Sequence, residues 1–392
     1  MALDAEVIVV GAGPAGSAAA LHLAERGHDV LLLDRASFPR DKACGEGLMP
    51  HGVGALARLG IVLEGARLGG IAYYAGGNSA VGRFPEGSYG IGVARTTLDA
   101  RLIDEASRHP RVHVRTGVRA TGMSGTPGAM TIASDAGPLR ARAIVGADGL
   151  GSPVRAWAGL DRPIAKPRRF GLRVHVAVAP RRVPDVVEVH AGPEAELYVT
   201  PLLPTAGGLG RLNIAALVGK AGTRKLKGDP DTELRRLIGA CPSLALGEIE
   251  VLGPARTWGP LRRSARAVVA DGVVLVGDAA GFVDAVTGEG MSLGLVSAEI
   301  AGDVLSSGLR NDRLQRRDLR PYSVRRRRMA RDVTWLTEAV LFGLRRPALA
   351  ARVVGNLARE PEVFDRVLAV AVGRAPLWSL GLVGLCRLLR PS

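Results

Sequence analysis

Three glycine-rich turns carry the residues of this chain whose types and spacing can do chemistry. In the first, the apolar run Val7-Ile8-Val9-Val10 leads into Gly11-Ala12-Gly13-Pro14-Ala15-Gly16, then a helix-like stretch, then Val30-Leu31-Leu32-Leu33-Asp34. This order of strand, turn, helix and acid-ending strand grips the ADP half of a dinucleotide. Gly11 allows the tight turn, Gly13 lets the backbone approach a pyrophosphate, and Gly16 lets helix and strand pack closely. The helix N-terminus then faces the phosphate charge. Asp34 stands where a ribose hydroxyl is bound, with Arg35 beside it and Ala15 within the turn.

The second turn, Gly146-Ala147-Asp148-Gly149, ends the buried run that starts at Ala143. The third follows Val273-Val274-Leu275-Val276 as Gly277-Asp278 and runs through Gly288-Glu289-Gly290 into a helix marked by Leu293, Val296, Ile300 and Val304. A strand ending in Gly-Asp before a helix again points backbone N–H groups at an anion. Between the first two turns lies Phe38-Pro39-Arg40-Asp41-Lys42-Ala43-Cys44-Gly45-Glu46-Gly47, rich in reactive and glycine residues. Cys44 either touches a substrate or is a small buried hydrophobe. Glu46 either orients a substrate or caps the helix expected at residues 51–59.

Other elements must hold these turns in place. Arg95 opens a helix, with Thr97 as its cap and Leu98, Leu102, Ile103 and Ala106 on one face. Strands are expected at 112–118 and 143–149, and strand and turn at 73–92. Tyr73 and Tyr74 point to opposite sides of their strand. From Gly171 to Val218 the period becomes two, through Leu172, Val174, Val176, Val178 and later Leu212, Ile214, Ala216, which argues an antiparallel sheet with one covered face. Tyr198 lies on that sheet. A short helix is expected at 234–240, and the remainder from Arg310 is helical, basic and apolar by turns.

At 392 residues, 47% hydrophobic and 23% charged, the chain is globular with room for two interleaved domains and a tail. Three scattered cysteines, Cys44, Cys241 and Cys386, make no disulfide framework, and none of the seven histidines has metal-ligand spacing. A reducing, cytoplasmic setting is expected, and residues 1–6 do not resemble a signal peptide. The net charge of +15 comes without an aromatic-interleaved basic patch, so it excludes a nucleic-acid partner and reads mostly as a solvated arginine surface. Arg325 to Arg328, with Trp335, Leu336, Val340, Leu341, Phe342, Leu344 and the apolar end from Leu377 to Leu388, form either a helical cover or a face that meets a membrane surface at its inner side.

Gly11 to Gly16, Asp34, Arg95, Gly146 to Gly149 and Gly277 to Gly290 occur in the order and spacing of the para-hydroxybenzoate-hydroxylase-like flavoproteins, which this chain resembles over about three quarters of its length. That superfamily contains class A flavin monooxygenases, geranylgeranyl reductases and flavin halogenases. The Lys42-Ala43-Cys44-Gly45 loop looks most like the geranylgeranyl-reductase branch. The resemblance implies a Rossmann-like α/β FAD-binding domain (residues 1–70, 93–160 and 262–308), an inserted antiparallel-sheet substrate domain (71–92 and 161–261) and a C-terminal helical region (309–392). It further implies non-covalent FAD, with Asp34 on the adenosine ribose, Arg95 at the pyrophosphate, Asp148 at the second turn and Asp278 on the ribityl chain. Gly288, Glu289 and Gly290 would place N–H groups near the flavin ring, and Cys44 and Gly45 would lie beside it.

Two features depart from the reductase branch. Its Tyr-x-Trp-x-Phe-Pro signature is replaced by Leu197-Tyr198-Val199-Thr200-Pro201-Leu202, and the usual proline after Gly-Asp is Ala285. The Trp-x-Trp-x-Ile-Pro segment and lysine of tryptophan-type halogenases are also missing. With one dinucleotide fold in the chain, hydride is expected from transiently docked NAD(P)H. The leading expectation is a monooxygenase hydroxylating a lipophilic, phenolic or polyketide-like molecule. The alternative is reduction of alkene bonds in an isoprenoid or lipid, and a third, of another class, is a non-catalytic flavin-binding or membrane-docking protein. Candidate catalytic side chains are Cys44, Glu289 and Tyr198.

Overall fold

The computed structural model describes residues 2–163, 169–192, 194–219, 229–381, 384, 387 and 390. Val7–Val10 and Val30–Asp34 are apolar at every position up to the terminal acid, and all nine residues are buried, because both faces of their sheet are covered. The six strands run in the order Val269–Ala270, Val273–Leu275, Ala143–Gly146, Val7–Val10, Val30–Asp34, Val112–Thr116. All pairings are parallel except at the Val269–Ala270 edge. Helix Pro14–Glu25 makes the first crossover, and helix Gly290–Arg310 packs against it in one core with Leu98 and Leu102 of helix Arg95–Arg108. A three-stranded sheet, Ala120–Thr126, Ala129–Ser134 and Leu139–Ala141, covers the opposite face through Met130 and Ile132.

The alternating segment forms part of a second, eight-stranded sheet: Glu250–Val251, Arg169–Val178, Gly210–Gly219, Ala195–Leu202, Val187–Ala191, Gly70–Ala75, Asn78–Arg83, with Arg256–Trp258 beside Arg169–Val178. Leu172, Val174 and Val176 point to one side, onto Leu234 and Leu237 of helix Pro230–Gly239 and the buried Cys241. The opposite face carries cross-strand rows. His175, Asn213 and Thr200 form one, and Arg173, Ala215, Tyr198, Val189 and Tyr73 form the next. Tyr73 packs on Phe364, whereas Tyr74, on the other side, stacks on His190 with ring centroids 4.4 Å apart.

Helices Arg320–Leu344, Pro347–Arg359 and Pro361–Ala371 close the molecule. The first is fixed to the dinucleotide half by the Tyr322 hydroxyl donating to the Leu275 carbonyl at 2.6 Å, and by the hydroxyls of Thr337 and Thr287 at 3.1 Å. The others sit on the Gly70–Arg83 hairpin, where Phe364 and Leu368 fill the space beside Gly82. Leu341, Ala350, Val354 and Phe364 are therefore core residues, while Trp335, Phe342 and Trp378 stay exposed. Cys386, Leu382, Val383, Leu385 and Leu388 lie outside the described residues. Among the described residues no helix is long and apolar enough to cross a membrane.

Two expected caps are corrected. Thr97 lies inside its helix, whose N-cap, Ala94, has no side-chain cap. Glu46 does not cap the helix that follows it, Pro50–Arg58; its Oε1 accepts from the backbone N–H of Arg95 at 2.9 Å, serving a helix distant in sequence. Local spacing cannot reveal a cap delivered across the fold.

Buried Arg155, from the short helix Pro153–Trp157, ties the second turn to the third: it donates to the carbonyls of Leu150 and Ala279, both at 3.0 Å, and pairs with Asp161 at 2.7 Å. Arg155→Met leaves two carbonyls without partners, and we expect a loss of about 2–4 kcal/mol in urea unfolding.

Candidate active site

The first turn is built as its spacing predicts. A Cβ on Gly16 would lie 1.7 Å from the carbonyl oxygen of Gly11, so helix and turn touch there without room for a side chain. Gly13 differs: its φ of −74° suits any residue, and a Cβ would meet only the guanidinium of Arg40 at 3.1 Å and that of Arg95 at 4.0 Å. Gly13 is therefore open toward two cationic heads, as a pyrophosphate site requires. Asp34 is buried and accepts from the N–H of Ala12 at 2.8 Å and of Ala36 at 2.9 Å, while Arg40 pairs with it at 3.0 Å. Asp99 holds both cations, taking two bonds from Arg95 at 2.8 Å and one from Arg40 at 3.3 Å. Arg35 is exposed, next to this group.

In the second turn, Asp148 is committed within the chain: the Ser152 hydroxyl donates to it, as does the N–H of Val154 at 2.9 Å. Burial nevertheless holds its carboxyl above the usual range. Gly277 of the third turn adopts φ +57° and faces Ala15. Burial raises Asp278, opposed by the nearby charges of Lys42 and Arg95, and its carboxylate accepts no hydrogen bond among the described residues. Burial likewise lowers the pKa of Lys42, whose ammonium lies over Trp258, 5.1 Å from the ring centre. The three turns thus leave a cationic cradle at Gly13 between two acids, Asp34 and Asp278. These residues fit FAD, with phosphates at the cradle and sugar hydroxyls at the acids.

Sequence spacing gave no sign of how the Cys44 loop is held. Glu46 adopts φ +57°, a left-handed conformation that costs a residue with a side chain about 1 kcal/mol. Its carboxylate offsets this by accepting from the Arg95 N–H and from Nε2 of His175 at 2.5 Å. Arg211 donates to the other nitrogen of His175 at 2.9 Å, which fixes the imidazole as the neutral tautomer with its proton on Nε2. Asn213 donates to the Cys44 carbonyl at 2.8 Å, and Asp41 pairs with Arg173 and Arg256. The loop is consequently anchored on the sheet. The Cys44 sulfur lies 3.7 Å from that of Met291 at the start of helix Gly290–Arg310, and burial raises its pKa, keeping the thiol protonated. Gly45 is exposed beside it, with open space at its Cα.

Tyr198 lies one cross-strand row from Asn213, with its hydroxyl 3.5 Å from Glu196. Burial, then the charge of Glu196, raises its pKa well above 10. Arg169 joins Glu196 to Asp284 of the third turn, an acid that sequence reading did not single out. Next to this polar group the packing is apolar, with Met49, Val187, Val189, Leu217, Leu261 and Val286 in one buried cluster. Gly288, at φ +68°, and Gly290 flank Glu289, which is buried with its Oε2 3.1 Å from His51 Nε2, without the alignment of a hydrogen bond. Burial pushes Glu289 well above the carboxylate range and His51 down to about 4, so the pair is neutral.

Two tests follow from this geometry. Gly13→Val is expected to fold, with stability within about 1 kcal/mol of the parent, yet to lose FAD on gel filtration, whereas Gly16→Val does not fold. For Glu289, the raised folded pKa means that the unfolded chain releases its proton first, near the ordinary 4.5, as pH rises. Stability then falls by about 1.4 kcal/mol per pH unit until the folded value is reached. Glu289→Gln removes that loss: in urea unfolding of the apoprotein, the variant should match the parent near pH 4 and exceed it near pH 8.

Comparison with known proteins agrees with the assembled geometry. Residues 4–337 match the FAD binding domain family. The chain is 32% identical over 332 residues to a menaquinone reductase of Mycobacterium tuberculosis, covering 78% of this chain and 77% of that one. It is 31% identical over 324 residues to a digeranylgeranylglycerophospholipid reductase of Methanothrix thermoacetophila, covering 77% and 79%. A flavoprotein/dehydrogenase structure from Cytophaga hutchinsonii has the same fold, with a TM-score of 0.79 at 23% identity over 94% of this chain and 92% of that one. A glycine cradle open to two guanidinium heads, the Asp278 turn and this match over most of the chain lead to one conclusion: the protein belongs to the para-hydroxybenzoate-hydroxylase-like FAD-binding family and is an FAD-dependent oxidoreductase.

Proposed function

We propose that the enzyme reduces carbon–carbon double bonds in the prenyl chain of a lipophilic quinone or lipid, using electrons that enter from transiently docked NAD(P)H. The observation that carries this reading is the Cys44 loop: a neutral thiol, locked by Glu46 and Asn213 beside the third turn, on the sheet face where Tyr198 and the apolar Val187, Val189 and Leu217 lie. The named reductases among the relatives, similar over about three quarters of the chain, support it over the hydroxylation first expected from sequence. The halogenases among structural neighbours, such as a flavin-dependent brominase at 17% identity, share the fold.

FAD, when bound, would supply a hydride. The chain's own residues do the rest. The wall of Met49, Val187, Val189 and Leu217 takes an apolar chain and keeps water from it. The Cys44 thiol would give its proton to the alkene carbon next to the one that receives the hydride. The resulting thiolate, near the positive charge of Arg95 and partly exposed, regains a proton from solvent. Tyr198, neutral and hydrogen-bonded to Glu196, positions a polar end of the substrate near the Arg169–Asp284 pair.

Reduced enzyme is incubated with a polyprenyl menaquinone or a geranylgeranyl lipid, with and without oxygen, and products are read by mass spectrometry. A gain of two hydrogens is expected under anaerobic conditions. A gain of one oxygen, only when oxygen is present, overturns the reading in favour of hydroxylation. Cys44→Ser is expected to lower kcat about 10–100-fold with FAD content unchanged; unaltered kcat with a lowered Tm would make Cys44 a packing residue only.

A further inference from the structure

The arginines that sequence reading assigned to a solvated surface converge on one groove of about 880 Å3 between the edge of the six-stranded sheet and helix Arg320–Leu344. Arg316, Arg317 and Arg320 enter from the segment leading into the helix, Arg326, Arg327 and Arg331 from its next turns, and Arg266 from the sheet side. The acid that lines the groove, Asp271, is occupied, accepting from the backbone N–H of Arg316 at 2.7 Å. Among the described residues, Arg331 is the member of this set that forms an ion pair, with Asp332 at 3.0 Å, and the Nε of Arg326 is buried without a hydrogen-bond partner. Trp335, 63% exposed, stands at the rim.

Seven guanidinium groups facing one groove repel one another, and a multiply charged anion relieves that repulsion. Arginine forks match the paired oxygens of phosphate groups, and an exposed indole beside them offers a flat apolar contact. The groove shares neither Arg40 nor Arg95 with the flavin cradle, so the two anion sites can be filled together. Tyr322, buried with its hydroxyl on the Leu275 carbonyl, holds the arginine-bearing turns rigidly against the sheet. We propose that this groove is a second phosphate-binding site, taking a ligand with two or more phosphate charges, separate from the FAD pyrophosphate site.

The test uses FAD-loaded enzyme, so that the flavin cradle is occupied. Titration calorimetry with inorganic pyrophosphate and with ADP probes a soluble ligand; co-sedimentation with vesicles containing cardiolipin, whose headgroup carries two phosphates, against phosphatidylcholine alone, probes a lipid headgroup. Arg320→Gln/Arg327→Gln should weaken binding about tenfold or more with FAD content unchanged. Arg181→Gln/Arg352→Gln, which removes the same charge from exposed positions elsewhere, should leave it within about twofold. Arg317→Gln, on the approach to the helix, provides a second variant. Saturable binding of pyrophosphate or ADP with this variant pattern identifies a soluble phosphorylated ligand. Binding confined to the anionic vesicles, with the same pattern, identifies a headgroup. No saturable binding to either, or equal losses in both double variants, overturns the proposal. Neither result depends on alkene reduction, because no turnover is measured.

Discussion

The carboxylate of Glu46 joins the two halves of this enzyme. One oxygen accepts the N–H that opens helix Arg95–Arg108 beside the six-stranded sheet, and the other accepts the Nε2 proton of His175 in the eight-stranded sheet. Fully buried, this carboxylate is kept there by both bonds at once, and removing the His175 bond would leave one buried oxygen without its partner. The left-handed backbone at Glu46 follows from the same demand: the chain must turn sharply to reach both partners, and the local strain is offset by tertiary bonds. Cys44, two residues earlier, takes its position as a consequence.

Around that link the charges are graded. Near Gly13 they are cationic and paired with acids that orient them, so the backbone can receive a pyrophosphate without an unscreened surplus. Beside the third turn the ionisable groups become neutral: burial raises Cys44, Glu289 and Tyr198 and lowers His51. A buried region of neutral hydrogen-bonding groups next to apolar packing suits an apolar neighbour better than an ionic one. The polar triplet Arg169, Glu196 and Asp284 brings charge back next to these neutral groups.

The C-terminal helices pack into the core on that side of the eight-stranded sheet. Phe364 packs against Tyr73, and Leu341, Val354 and Leu368 share the cluster that includes Tyr198. The same helix that supplies Leu341 to this core presents its arginines to the opposite groove, so one amphipathic element separates an apolar interior from a cationic surface.

The geometry of the first glycine turn was legible in the sequence because its requirements are local. A glycine where no Cβ fits, a helix start facing an anion and an acid ending a strand are each set by neighbours within about 25 residues, and Gly11, Gly13, Gly16 and Asp34 carry them in order. The antiparallel sheet was legible for a similar reason, since a half-covered strand must alternate. Other features depend on which distant elements meet. Glu46 as a cap for Arg95, Asp99 between Arg40 and Arg95, Asp284 beside Arg169, and the convergence of Arg266 with Arg316–Arg331 join residues whose separation along the chain carries no period or spacing. Hydrogen bonds and Coulomb forces act through space over a few ångströms, so only the folded structure decides which of these polar residues become partners.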